Sequence, residues 1–277
     1  MPIDISVVIP TFRRPALLAE ALASVLNQTG VTIEVVVVDD CPDGSARETV
    51  EAVKDPRVTY IRNPNPTGGK PSVVRNLGWP RTGGMYIHFL DDDDIVPEGH
   101  YSAVKAAFER HPDVGFVFGR IKPFGVCPPE QLEHEASFFA AGARNAARCG
   151  AFGRYGRKFA FAARILFGPA MLVCSAAVVR RDCVARIGGF DTEMRLIEDT
   201  DLFLRMARTF GAYFMDRTTL HYRIGSPSLM HSPNPPPEQR AAELEGDRHL
   251  RAKYRRDHSM LEFFVLRVAA RLFLRIA

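Results

Sequence analysis

A chain of 277 residues is long enough for one large α/β domain, alone or with a small extension. Hydrophobic content of 46% and charged content of 25% are those of a globular protein, and a net charge of +4 gives no reason to expect nucleic acid as a partner. Five cysteines without metal-ligand spacing, no cationic leader ahead of an apolar stretch, and no apolar run of membrane-spanning length predict a reduced, cytoplasmic setting.

Ile5 to Ile9 is β-branched and ends at Pro10, a short buried strand. Pro15 to Gln28 follows with Leu17, Leu18, Ala21, Leu22, Val25 and Leu26 at helical spacing, and Pro15 suits a first helical turn. Ile33 to Val38 is a second strand, ending in Asp39-Asp40. Asp43-Gly44-Ser45 opens a helix to about Val53, and Val58 to Ile61 is a third strand. Pro71 to Leu77 reads as a helix, Met85 to Leu90 as a fourth strand, Pro97 to Arg110 as its helix and Val114 to Val117 as a fifth strand. This alternation predicts a mostly parallel sheet with right-handed crossovers. Continuous rather than alternating apolar strands predict that both its faces are covered.

Four aspartates, Asp91 to Asp94, leave the fourth strand directly. Ligands of open α/β sheets gather at the carboxyl ends of strands. Like charges packed there raise one another's pKa unless a counter-charge arrives, and carboxylate oxygens suit Mg²⁺ or Mn²⁺. A solvated turn capping the next helix is the plainer reading. In a parallel sheet Asp39-Asp40 emerges on the same edge. One cluster can then bind metal while the other accepts hydrogen bonds from a base or ribose. An Asx turn is the alternative for Asp39-Asp40 alone.

Taken in order, several segments resemble family 2 glycosyltransferases. Ser6-Val7-Val8-Ile9-Pro10-Thr11-Phe12-Arg13-Arg14 is similar to that family's first strand and loop, and Val35 to Ser45 to its second strand and acidic turn. Arg75-Asn76-Leu77-Gly78 resembles its RN-G signature and His88 to Asp94 its DxD segment. Ile187 to Asp191 and Glu198-Asp199-Thr200-Asp201-Leu202 resemble its GGFD and ED-x-D-L motifs. The set spans roughly residues 3 to 225 and is specific as an ordered group. It implies an α/β fold of the GT-A type: a Rossmann-like, mostly parallel central sheet flanked by helices, with a C-terminal helical extension. The implied division is a glycosyltransferase domain over 1–225, with a nucleotide-sugar half at 1–120 and an acceptor half at 121–225. A Pro- and Ser-rich loop over 226–240 and a helical extension over 241–277 would follow.

The resemblance also implies roles. Asp93 would be the direct ligand of Mg²⁺ or Mn²⁺, with Asp91 the other member of DxD and Asp91 or Asp92 the alternative holder of ribose. The segment from Asp91 to Pro97 is one residue shorter than the family spacing, which leaves the assignment within the four aspartates open. Asp40, with Asp39 beside it, would contact the base, and Pro10, Thr11 and Phe12 would line its pocket. Arg13 and Arg75 are phosphate-side cations on this view. Arg75 is equally a surface residue or a partner for the acidic cluster. Asp199 would be the general base that takes the acceptor's proton. The alternative is that Glu198, Asp199 and Asp201 merely favour the start of a helix through its dipole. The function implied is inverting, metal-dependent transfer from a nucleotide-diphospho-sugar, UDP- or dTDP-linked, to a saccharide or lipid-linked acceptor.

Other features weigh less. Gly68-Gly69-Lys70 lacks Walker A spacing and reads as a turn. Ala212 to Met215 reads as a short strand, His221 after it is a candidate third ligand or simply structural, and 226–237 a mobile loop or lid. Between Gly119 and Met171 the pattern loosens. Basic and aromatic residues alternate there, as an acceptor surface or as two amphipathic helices packed on the sheet. Arg267, Arg271 and Arg275 stripe an apolar C-terminal helix too short to span a bilayer. It would lie on an anionic membrane, dock on the domain or form a dimer contact. Two rivals remain. A sugar nucleotidyltransferase would need a glycine-rich loop after the first strand, which Pro10 to Arg14 is not. A non-catalytic sugar-nucleotide or membrane-binding module would tolerate loss of Asp199.

Overall fold

In the computed structural model, which describes residues 2–225 and 236–273, the apolar runs become strands of a seven-stranded sheet. β1 (Ile5–Thr11), β2 (Ile33–Asp39), β3 (Val58–Arg62) and β4 (Tyr86–Phe89) are mutually parallel, with β1 between β2 and β4. β5 (Phe116–Gly125), β6 (Ala177–Arg180) and β7 (Ala212–Ile224) complete the order β3-β2-β1-β4-β6-β5-β7. β6 is antiparallel to both its neighbours, whereas β5 and β7 pair in parallel. The start of β6 therefore lies at the edge where β1, β2 and β4 end.

Alternate residues of the central strands enter opposite cores, as a pleat of period two requires. Val7, Ile9, Val35 and Val37 pack on one face with Leu18, Leu22 and Val25 of α1 (Pro15–Leu26). Val8, Val36, Val38 and Phe89 pack on the other. This two-sided burial explains the unbroken apolar runs, each fully buried aliphatic side chain being worth about 1.5–3 kcal/mol. The crossovers are α2 (Arg47–Val53), α3 (Pro71–Gly78) and α4 (His100–Arg110).

Three expectations needed correction. The fifth strand extends to Gly125 instead of stopping at Val117, and the short strand at 212–215 continues to Ile224. A register shift at Gly119–Ile121 lets the two remain paired beyond the point where their apolar pattern breaks. The loosened region, by contrast, forms two helices as the second of its readings had it, α5 (Pro129–Gly150) and α6 (Arg154–Phe167), which bury Phe139, Ala146, Phe161 and Leu166. α7 (Arg181–Ile187) and α8 (Glu198–Thr209) follow. α9 (Pro237–His258) begins inside the stretch read as loop, because Pro237 suits a first helical turn. α10 (Met260–Phe273) packs on α6 and α9. The expected lid over 226–235, and Arg275 with its neighbours from 274 onward, lie outside the described residues. No described helix is long and apolar enough to cross a membrane.

Candidate active site

A cavity of about 580 Å³ opens at the carboxyl edge of the parallel strands. Pro10, Thr11 and Phe12 from the end of β1 line it, with Asp40 after β2, Asp91, Asp92 and Asp93 after β4, and Glu198, Asp199 and Thr200 opening α8. The backbone N–H of Asp91 donates to Ser175 Oγ at 3.0 Å, in the turn that leads into β6. His88, fully buried, bonds the Ser175 carbonyl through Nε2 at 2.8 Å. That carbonyl can only accept, so the proton sits on Nε2 and Tyr101 Oη donates to Nδ1 at 2.8 Å. The antiparallel strand thereby fixes the exit of β4 from below.

The Arg75-Asn76-Leu77-Gly78 signature on α3 has a physical account. Arg75 donates to Asp91 Oδ1 at 2.6 Å and to Glu198 Oε1 at 2.7 Å, with its guanidinium 5.3 Å from the Phe190 ring. Its side chain is only 4% exposed. Asn76 closes a reciprocal pair with the Phe190 backbone, at 2.8 and 3.0 Å. Gly78 faces Val8 and Val38, where an added Cβ would come within 2.6 and 2.9 Å of their methyls. Of the readings open for Arg75, partner to the acidic cluster is the one observed. Both terminal nitrogens are engaged by carboxylates, and the residue also lines the cavity.

Glu198 and Asp199 sit at the first turn of α8, reached through Ile197 in a left-handed conformation (φ 59°). Burial raises the Glu198 carboxyl to about 7 even beside Arg75. Burial also raises Asp199, against the opposing charge of Arg75 and hydrogen bonds from Thr200. Asp199 Oδ1 accepts from the Thr200 N–H at 2.7 Å and its hydroxyl at 3.3 Å, which sets the carboxylate's direction at the cavity wall. Asp201 serves the frame instead, bonded to Arg205 and Lys253.

The nucleotide-side expectations divide. Asp39 lies outside the cavity lining. Its oxygens accept from Cys41 N, Ala46 N and Tyr60 Oη at 2.9, 2.9 and 3.0 Å, so it shapes the turn after β2. Asp40 lines the cavity, and its carboxylate accepts from Asn63, twice from Thr67 and from Gly69 N. It thus holds the Gly68-Gly69 loop as a wall of the cavity. Arg13 is exposed, left-handed (φ 57°) and stacked on Phe12. That turn delivers Arg14 instead, which lines the cavity and bonds Asp92 at 3.3 Å and Asp93 at 2.7 Å. Arg14 was missed, although Arg13-Arg14 as a pair is visible ahead of Pro15. His221 engages Ile95 through its backbone and does not line the cavity.

The four aspartates are not equivalent. Asp92 is buried and accepts from the Thr11 hydroxyl at 2.7 Å, and burial raises it to about 6. Asp94 is fully buried and accepts from the Arg223 N–H at 3.0 Å. Asp91 and Asp93 are the more open pair, with side chains 33% and 14% exposed. Burial and the Asp91 charge both raise Asp93, a repulsion that a divalent cation would relieve. Two hard carboxylates facing one cavity suit Mg²⁺ or Mn²⁺. Each already has an arginine partner, Asp91 with Arg75 and Asp93 with Arg14, so an ion there would share these carboxylates with the two guanidinium groups.

Comparison with known proteins bears on the family and the fold. The model for glycosyl transferase family 2 matches residues 6–188, more than half of the chain. Glu198 and Asp199 lie beyond the match, and Arg75 joins Glu198 to it. "Putative colanic acid biosynthesis glycosyl transferase WcaA" of Escherichia coli is 29% identical over 234 residues, covering 83% of this chain and 76% of its own. The Campylobacter jejuni GalNAc(5)-diNAcBac-PP-undecaprenol beta-1,3-glucosyltransferase is 34% identical over 102 residues, 36% of this chain and 33% of its own. Staphylococcus aureus TarS 1-349 in complex with UDP-GlcNAc superposes with a TM-score of 0.59 at 16% identity, over 96% of this chain and 79% of that one. The Pyrobaculum calidifontis mannosyltransferase PcManGT, in complex with GDP-Man and Mn²⁺, gives 0.54 at 17% identity, over 98% and 81%. At these identities the likeness shows the fold, which is of the GT-A type.

Proposed function

The chain belongs to glycosyl transferase family 2, and on that premise we propose that it transfers a sugar from a nucleotide diphosphate to an acceptor hydroxyl with inversion. The observation that carries this reading is the Arg75 bridge. It holds the exit of β4 and the start of α8 against one cavity, so that the aspartates proposed for the diphosphate side and the carboxylate proposed as base face the same space. UDP- or dTDP-sugars are the proposed donors. Phe12 and Pro10 offer apolar faces to the base, and the Gly68-Gly69 loop held by Asp40 closes the other side. A bound Mg²⁺ or Mn²⁺, held by Asp91 and Asp93, would neutralise charge developing on the leaving diphosphate. Arg14 supplies a fixed cation beside them. Asp199 takes the acceptor's proton as its oxygen attacks the anomeric carbon from the opposite face.

Phe138 and Phe139 of α5 reach the cavity from the segment that differs most from a regular strand-helix alternation, and we assign that side to the acceptor. By analogy with the relatives' names, the acceptor is a saccharide or lipid-linked glycan in surface polysaccharide or glycolipid synthesis, presented at a membrane surface. Calorimetry with UDP, dTDP, GDP and CMP, with and without Mn²⁺, tests the donor site. Mn²⁺-dependent binding of one nucleotide, abolished by Asp93→Ala, is expected. Absence of metal-dependent binding to all four would leave the aspartates a structural turn and remove the proposal's basis.

A further inference from the structure

We propose that α10 is a docking surface for an anionic lipid bilayer, and that it seats the enzyme on the membrane through side chains already on its outer face. Two apolar faces run along this one helix. Leu266 and Ala270 are buried, and Phe263 packs edge-on to Phe167 of α6 at 5.1 Å. Leu261, Phe264, Val265, Val268 and Leu272 recur at spacings of three and four and form a stripe on the other side. They are 74%, 63%, 54%, 40% and 68% exposed. The core has already taken what it needs from this helix, so the outer stripe does nothing for the fold. Large apolar side chains gathered on one face of one helix are unlike scattered surface leucines and mark an interaction site.

Charge selects the occupant. Arg267 and Arg271 lie four residues apart on the flank of the stripe, both exposed, and among the described residues neither forms an ion pair. The acidic residue of this helix, Glu262, is turned inward and held by both Arg208 nitrogens at 2.7 and 2.9 Å and by Tyr254 Oη at 2.6 Å. The helix is thus held firmly at its first turn, its carboxylate is neutralised, and its free charge is positive. An apolar stripe edged by arginines matches the boundary between acyl chains and acidic headgroups. A second copy of the same face would bring like charges together. The lipid surface is the occupant that satisfies both halves of the pattern. This inference stands on α10 alone and does not depend on the chemistry assigned to the cavity.

The test is co-sedimentation of the full chain with vesicles of phosphatidylcholine alone or with a third of phosphatidylglycerol. Binding to the anionic vesicles is expected, weakened roughly tenfold or more by the pair Leu261→Ser and Phe264→Ser. Arg267→Glu with Arg271→Glu should erase the preference for the acidic lipid, each arginine counting roughly fivefold. All four positions are exposed, so melting temperature and nucleotide affinity should not move. Failure to sediment with either vesicle, or sedimentation indifferent to these variants, overturns the proposal. So does a dimer in analytical ultracentrifugation that the Leu261→Ser, Phe264→Ser pair dissociates, because a second copy would then cover the face. Loss of nucleotide binding in the parent chain would instead count against the donor site and leave this result readable.

Discussion

Replacing Arg75 with Met tests the arrangement at its centre. The guanidinium is 4% exposed and joins Asp91 to Glu198, itself 10% exposed, through bonds of 2.6 and 2.7 Å. Removing one partner of a buried ion pair leaves an uncompensated charge and costs about 3–5 kcal/mol. Glu198 softens that figure. Its carboxyl already stands near 7 with the arginine present, so without it the group takes up a proton at neutral pH. We expect a loss at the lower end, about 3 kcal/mol, growing as pH rises and ionisation of Glu198 is forced. Urea unfolding of the parent, Arg75→Met, Glu198→Gln and the double variant isolates the pair. A coupling energy of about 2 kcal/mol is expected, with the double variant more stable than additivity allows. Turnover should fall while affinity for the nucleotide diphosphate is largely kept. A coupling energy within about 0.5 kcal/mol of zero, or a loss confined to nucleotide affinity, would refute the bridge and return Arg75 to the phosphates.

Other outcomes follow from single contacts. Asp199→Asn should lower turnover by about 10²–10⁴-fold with donor affinity intact, checked by steady-state kinetics beside calorimetry; equal turnover would make the residue a helix-start acid and remove it as the base. Burial holds His88 at about 4 against an ordinary 6.5. As pH falls through that window the unfolded chain binds a proton the native state refuses. Stability present above pH 6.5 should therefore drain away toward pH 4, by an amount on the order of 3 kcal/mol. Glu198 works in the opposite sense between its ordinary 4.5 and about 7, so the measurement is the difference in pH slope between the parent and His88→Phe; identical slopes would exclude His88. Gly78→Ala should destabilise by about 1–3 kcal/mol, because its Cβ would press on Val8 and Val38 and lift α3 from the sheet. A melting temperature unchanged by that substitution would show that the helix can shift without loss.

The half of the fold that positions the proposed donor site was readable because its strands are buried on both faces, so their apolar runs and acidic ends stand out. The remainder was hidden for identifiable reasons. β6 is four residues long, too short to carry a period, and it alone reverses direction. Beyond Gly119 the strands β5 and β7 alternate exposed and buried residues across a register shift, which resembles loop in the sequence. Within the site, residue type found the carboxylates but not their geometry. Nothing in Arg13-Arg14 says which one faces inward, since a positive φ at Arg13 decides it. Asp39 and Asp40 are likewise indistinguishable as letters. Only the strand register and the turn after it send one carboxylate to backbone N–H groups and the other to the loop beside the cavity.

The two helices inserted between β5 and β6 are built into the molecule differently: α6 packs on α8, which carries Glu198 and Asp199, whereas α5 lies against β5 and β7. α5 and α6 enter and leave between strands whose pairing they do not supply, and none of the bonds made by Arg75, Asn76 or His88 ends on residues 129–167. Phe138 and Phe139 nonetheless reach the cavity from that segment. Substitution at Phe138 and Phe139 would therefore change that wall of the cavity, while replacement of α6 would disturb the packing behind Glu198 and Asp199. On the proposed assignment of that wall to the acceptor, preference can drift at Phe138 and Phe139 without touching the residues that hold Asp199.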